Sequence, residues 1–289
     1  MSMPYYVSPE QVMKDRADYA RKGIARGRAL VGAIYADGVA IVAENPSNTL
    51  RKVSEIYDRI AFGGVGRYNE FDQLRVAGVR AADLKGYQYS RHDVDARSLA
   101  NNYAQILGQI FTHEMKPMEI EILVAEVGRT GMPEQLFHIL YDGTVMDEKR
   151  FSVLGGDADA ITGRMNSTWT AGASLKATLS TVTAALGGPE RSLKAEDLEV
   201  ALLTRLNGRR CFQRLTDEQV ALLLLAEPAA ESPATDELGL ESGSPTESGD
   251  TSESSESTEA AEPTPSSGPV ELAGDEHSDS PPISEADPI

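Results

Sequence analysis

From Ser8 onward the apolar residues fall at helical steps. Met13, Ala17, Ala20 and Ile24 recur at intervals of four, three and four, with Lys14, Asp15, Asp18, Arg21 and Lys22 on the remaining surface. Ser8-Pro9-Glu10-Gln11 supplies the start: a hydroxyl for the N-cap, proline at the first helical position, and Gln11 to complete a capping box. After Gly27 the pattern changes to strands. Ala29–Tyr35 and Val39–Glu44 flank the turn residues Ala36-Asp37-Gly38, and beyond the breaker Asn45-Pro46-Ser47 a second hairpin is predicted from Lys52–Ile56 and Ile60–Val65 around Tyr57-Asp58-Arg59. Helices are predicted from about Tyr68 to Asp83 and from Asp95 to His113, the second marked by Leu99, Tyr103, Ile106 and Ile110. Strands return at Glu119–Val127, Gln135–Tyr141 and Phe151–Leu154, with Asp142-Gly143-Thr144 as a turn. A further helix carries Leu175, Leu179, Val182 and Leu186 and stops near Gly187-Gly188. Leu198–Thr204 and Cys211–Leu215 complete the strands, and Thr216-Asp217-Glu218-Gln219 caps a short final helix.

Strands therefore come in hairpin bursts separated by helix pairs. A parallel doubly wound sheet would alternate them singly, so the order favours antiparallel sheets covered by helices. A four-layer αββα sandwich of the α+β class satisfies it: two sheets share one core and each outer face carries helices.

Composition limits how much of the chain can join such a core. Residues 227–289 contain 17 Asp or Glu, no Lys or Arg and no Phe, Tyr or Trp, and are otherwise rich in Ser, Pro, Gly and Thr. Without apolar surface to offset conformational entropy, this acidic tail is expected to be disordered, and the fold is expected to end near Ala226. The tail also explains the formal net charge of −18: removing its acids leaves 28 acidic against 27 basic residues. A nearly neutral body gives no support to nucleic-acid binding. Cys211 is the one cysteine, which rules out an intrachain disulfide, and four scattered His give no zinc spacing. Met1–Arg16 has no apolar signal segment, and the longest apolar run, Val220–Ala226, is too short for a bilayer. A cytoplasmic protein with no membrane, metal or cofactor is the expectation.

Catalytic chemistry has no candidate in the motifs. Gly63-Gly64-Val65-Gly66 follows a strand and precedes a helix, but the third glycine of a dinucleotide loop is replaced by Asn69 and no Gly-Lys-Ser follows, so a plain strand-to-helix turn is expected. No GxSxG elbow or SxxK stands in the chain. His92, His113 and His138 read as surface or structural residues, and Trp169 as a packing residue.

The runs SPEQVMKDRADYARKGIARGRALVGAIYADGVAIVAENPS, RKVSEIYDRIAFGGVGRYNEFDQLRVAGVRAADLKGY and LANNYAQILGQIFT resemble the α subunits of actinobacterial proteasomes, and the likeness covers essentially residues 1–226. It implies the N-terminal-nucleophile hydrolase fold, which agrees with the independent reading of sheets and helices. Catalytic β subunits of that family use an N-terminal threonine whose own amine is the base. Counting back from Asp37-Gly38, the matching position here is near Arg28, which has no hydroxyl, and a predicted helix precedes it. Glu44 matches the family's acidic position on the second strand, and Lys52, fourteen residues before Gly66, its lysine.

The resemblance thus implies a non-catalytic subunit: a gate segment over residues 1–7 (Met3, Pro4, Tyr5, Tyr6 and Val7), a proteasome α-type domain over 8–226, and the tail over 227–289. The implied partners are further copies of itself in a heptameric ring, β subunits, protein substrates in transit (pupylated proteins among them), and an AAA ATPase ring whose C-termini enter a pocket containing Lys52, Gly27, Asp18 and Arg67. The Tyr-Asp-Arg gate cluster of archaeal and eukaryotic α subunits is replaced here by Tyr5-Tyr6-Val7. A self-processing threonine peptidase, and a free-standing binding protein on the same fold, are the alternatives.

Overall fold

In a computed structural model, the structure describes residues 8–47, 49–129 and 131–225. The expected gate residues Met3–Val7 and the tail from residue 227 lie outside them. The order is α1 (Pro9–Ile24), β1 (Leu30–Tyr35), β2 (Gly38–Glu44), β3 (Val53–Tyr57), β4 (Ile60–Gly66), α2 (Tyr68–Gln88) and α3 (Ala96–His113), followed by β5 (Ile120–Glu126), β6 (Gln135–Ile139), β7 (Val145–Glu148) and β8 (Phe151–Leu154). The chain continues with α4 (Ala158–Thr168), α5 (Leu175–Gly187), β9 (Leu198–Thr204), β10 (Phe212–Arg214) and α6 (Asp217–Leu225).

Two five-stranded antiparallel sheets form, in the orders β10-β9-β2-β1-β8 and β3-β4-β5-β6-β7. Strand alternation divides their side chains between faces. In β5, Leu123 and Ala125 join Leu30, Ile41, Leu136 and Leu154 in a buried apolar layer between the sheets, while Ile120, Ile122 and Val124 point outward onto α2 and α3. The outer face of the first sheet packs on Ile161 and Met165 of α4, Leu179 and Val182 of α5, and Val220 of α6. The result is the expected αββα sandwich. Each fully buried Leu or Ile of the middle layer contributes about 1.5–3 kcal/mol. Helix α1 is set apart from these layers, packing Ala20 and Ile24 on Tyr141.

The predicted caps mostly form. Ser8 Oγ accepts from Gln11 N at 3.3 Å, but the Gln11 amide turns to Asp15 at 2.7 Å, so the box at α1 closes on one side only. Thr216 and Gln219 bond reciprocally at 3.0 and 3.4 Å. Gly63 and Gly64 lie within β4 rather than in a turn; Gly66 ends the strand at φ 108°, with Glu119 against its Cα, where a side chain would clash with backbone.

Candidate functional site

The loop from Ala25 to Ala29 joins α1 to the middle of the first sheet, and the chemistry implied by the sequence gathers around it. Gly156 N donates to the Gly27 carbonyl at 3.0 Å, fastening the loop to the β8–α4 connection. At Gly155, φ is 96°, and an added Cβ would come within 2.7 Å of Val65 Cγ1 and 3.3 Å of the Arg28 carbonyl. Glycine is needed there for both backbone and space. Pairing of Leu30 with Ala43 and with Leu154 then fixes where residue 28 emerges from the sheet.

Lys52 approaches this loop from the start of β3. Its Nζ donates to the carbonyl oxygens of Arg28 at 2.7 Å and Glu44 at 3.1 Å. Its backbone is held from below: Glu199 accepts from Lys52 N at 2.8 Å and from Val53 N at 3.3 Å, while Asn45 Nδ2 at 2.7 Å and the Arg214 guanidinium satisfy the same buried carboxylate. The ammonium is thus aimed by a rigid, fully paired base. Burial pulls the Lys52 pKa down to about 8; the carboxylate of Glu44 opposes that shift and the charge of Arg28 adds to it.

Glu44 is buried, 7% exposed, and its charge is answered by Arg191, whose Nη1 and Nη2 reach the two oxygens at 2.9 and 3.2 Å, and by Arg28 at 3.5 Å. These groups stand at the rim of a cleft of ≈530 Å³ that also takes in Arg26, Gly27, Asp157 and Arg164. The cleft is polar and rich in arginine, so its chemistry suits a carboxylate or another anion.

The four residues expected to form a docking pocket are not gathered into one cavity by a single chain. Gly27 lines the cleft, and a Cβ there would sit 2.8 Å from Val65 Cγ1, so the loop lies directly on β4. Lys52 reaches the neighbouring Arg28 carbonyl from one side. Arg67, just past Gly66, turns instead to Glu119 at 2.8 Å, and Asp18 pairs with Arg21 at 3.2 Å on the exposed face of α1; neither lines the cleft.

Among the described residues, no group of three or more His, Cys, Asp or Glu could hold a metal ion, and no helix is long and apolar enough to cross a membrane. His92 and His113 are exposed, whereas His138 is buried at 7% with Nε2 3.5 Å from Glu121 Oε2. Trp169 packs on Phe151 and donates to the Ile34 carbonyl at 3.3 Å, a structural role as expected. Sequence reasoning missed the pairs of Glu44 with Arg191 and of Glu199 with Arg214, because partners 147 and 15 residues apart leave no spacing signal.

The protein-family model described as Proteasome subunit matches residues 24–202. The chain is 64% identical over 228 residues to "Proteasome subunit alpha" of Acidimicrobium ferrooxidans, an alignment covering 79% of this chain and 98% of that protein. It is 55% identical over 244 residues to the protein of the same name from Sanguibacter keddieii, covering 83% and 95%, and 52% identical over 239 residues to that of Saccharopolyspora erythraea, covering 82% and 93%.

Proposed function

The chain belongs to the proteasome subunit family, and from that premise we propose that it is a non-catalytic α subunit of a proteasome core particle, forming the outer ring that controls entry. The observation that carries the non-catalytic reading is the bond from Lys52 to the Arg28 carbonyl. A lysine and an acidic residue, Glu44, still surround the position where a nucleophile would open β1. That position is occupied by arginine, and α1 runs into it through an unbroken main chain. Neither a hydroxyl nor a free α-amine is available at residue 28, so the pair of groups that activates an N-terminal threonine is missing.

Copies of the chain assemble head to tail through a heterologous interface whose rotation closes into a heptameric ring, which stacks on a ring of β subunits in the cytoplasm. Residues 1–7, with Met3, Pro4, Tyr5, Tyr6 and Val7, form the gate, 8–226 the α-type domain and 227–289 the acidic tail, the first and last of these lying outside the described residues. Lys52, with Gly27, Asp18 and Arg67, receives the C-terminal carboxylates of an AAA ATPase ring that delivers substrates, pupylated proteins among them. Asp18 and Arg67 join that pocket across the boundary between neighbouring subunits. Native mass measurement after co-expression with a threonine-type β chain tests this reading. The expected product is a large ring complex whose peptide hydrolysis resides in the β chain. A monomeric chain, or a mature form that begins with threonine, overturns it.

A further inference from the structure

At the β3–β4 turn, the end of β3 remote from Lys52, the loops enclose another cavity, of ≈490 Å³, lined by Arg59, Arg91, Arg129 and Arg209 but by a single carboxylate, Asp58. Main-chain bonds tie its frame together. Cys211 N donates to the Asp58 carbonyl at 2.7 Å, Val127 N to the Arg59 carbonyl at 3.1 Å, and Asp93 N to the Ser90 carbonyl at 2.9 Å. Glu126 fastens the start of α3 to the same corner by accepting from Ala96 N at 2.8 Å. The arginines thus come from separate chain segments that are held in fixed relation without any ligand, so binding needs little reordering.

The charge of these arginines is only partly answered. Arg91 takes both oxygens of Asp58, with Nε and Nη2 at 3.0 and 2.6 Å, while stacking over the Tyr57 ring at 4.6 Å. Arg209 stands 3.8 Å from that already paired carboxylate, and Arg129 donates to the His92 carbonyl, a neutral acceptor. Arg59 donates to the Val127 carbonyl, but its Nε is buried with no hydrogen-bond partner, 4.0 Å from Glu126 Oε1. Burial pushes the Glu126 carboxyl up, which weakens it as a counter-charge. Asp95, at the N-cap of α3, is held by Lys85 at 2.8 Å. With Glu126 counted, four guanidinium groups meet two carboxylates, an excess of two. A buried N–H without an acceptor costs free energy that a bound anion recovers. Guanidinium forks match phosphate oxygens bidentately, and two surplus positive charges suit a dianion better than the single charge of a carboxylate. The volume also falls among small-molecule sites, which span roughly 300–1,000 Å³. We propose that this cavity is a phosphoryl-binding site in which Arg59, Arg129 and Arg209 hold a phosphate dianion, either free orthophosphate or the phosphate of a small monoester.

The test is calorimetric titration of the full-length protein with inorganic phosphate, phenyl phosphate and acetate at about pH 8, where phosphate groups are dianions, with sodium chloride held constant. Phosphate binding is expected to weaken about tenfold in Arg129→Gln/Arg209→Gln, because solvent-facing charge pairs contribute less than buried ones. Arg129→Lys/Arg209→Lys, which keeps the charge but loses the forks, should fall between that variant and the wild type. A Lys14→Gln/Arg80→Gln control removes the same charge at exposed positions outside the cavity and should bind as the wild type does. Melting curves establish that each variant is folded. Location is read by phenylglyoxal modification of arginines and peptide mass mapping: phosphate should slow the reaction of Arg209 and leave that of Arg80 unchanged, which also separates this cavity from the arginine-rich cleft beside Arg191. Tighter binding of phenyl phosphate than of orthophosphate would assign the site to an organic monoester, and any other order to the free ion; both uphold a phosphoryl site. The proposal is overturned if the wild type binds no phosphate, if acetate binds as tightly, or if Arg209 is not protected. Unchanged binding in the double glutamine variant, or an equal loss in the control, which would mean diffuse attraction without a site, overturns it as well.

Discussion

Lys52 Nζ lies 2.7 Å from the carbonyl oxygen of Arg28, so the lysine of this site is bonded to the main chain of a residue that has no nucleophile to offer. Its second acceptor, the Glu44 carbonyl at 3.1 Å, completes an arrangement that holds the ammonium between two main-chain oxygens. Purified alone, the chain is expected to hydrolyse no peptide and to remain unlabelled by threonine-directed covalent inhibitors, as read by intact mass. Arg28→Thr should stay unlabelled too, because the residue-28 nitrogen remains in a peptide bond. Stoichiometric labelling of the wild type would show that a nucleophile exists elsewhere.

The same lysine makes stability depend on pH in a defined window. Folding lowers its pKa to about 8, whereas in the unfolded chain the amine titrates near the ordinary lysine value of about 10.4. Below about pH 8 both states are protonated and the cost of the partly buried charge is fully present. Between about 8 and 10 the unfolded chain binds the proton that the folded chain has released, so this residue's contribution rises with pH. Denaturant melts of wild type and Lys52→Met across that range should therefore diverge, the wild type gaining relative to the variant. Parallel profiles would place the Lys52 titration outside this window.

Packing of α2 on α3 depends on a small residue opposite a large one. A Cβ at Gly78 would run into the hydroxyl of Tyr103, a side chain 1% exposed whose oxygen has no hydrogen-bond partner among the described residues. Gly78→Ala is expected to destabilise by about 1–3 kcal/mol through overpacking. Tyr103→Phe, which deletes an unsatisfied buried hydroxyl, should be close to neutral or stabilising. In the double variant part of the Gly78→Ala cost should be recovered, giving a non-zero coupling in a double-mutant cycle by urea denaturation. Strict additivity would mean that the helices shift apart instead.

Much of this architecture was legible from periodicity, and the failures are specific. The α1 stripe from Met13 to Ile24 and the Leu99–Ile110 stripe of α3 stand out because one apolar face meets one core. Helix α4 escaped notice because it buries Ile161 and Met165 alone, around an interior Gly163. Strand β7, at a sheet edge, has no buried position, so its Val-Met-Asp-Glu carries no alternation signal. Helix α2 runs to Gln88, past the expected stop near Asp83, because its last turn exposes Leu84 and Tyr87 and leaves no stripe to follow. At the site, Arg28, Glu44 and Lys52 could be placed by position relative to the Asp37-Gly38 turn and Gly66. The arginines that neutralise Glu44 and Glu199 could not, since they arrive from β10 and the loop after α5 through sheet topology.

On the proposed reading docking and gating are separable steps, and their combination tests both. An ATPase C-terminal carboxylate entering beside Lys52 can accept a charge-assisted bond contributing about 1.5–3 kcal/mol, and simultaneous engagement of several pockets by one ring multiplies the effect through effective concentration. Lys52→Ala is expected to abolish ATPase-dependent stimulation of the assembled particle while leaving basal hydrolysis of short peptides intact. Deleting residues 2–7, which carry Met3, Tyr5 and Tyr6 and no charged side chain, should speed hydrolysis of longer peptides and affect very small ones less. In the combined variant, long-peptide hydrolysis should be fast without any ATPase, because an open gate no longer needs the docking signal. The wild-type response should also fade as pH rises through about 8, where Lys52 loses the charge that recognises a carboxylate. Normal ATPase stimulation in Lys52→Ala particles would return Lys52 to a purely structural role, tying the start of β3 to the Arg28 carbonyl.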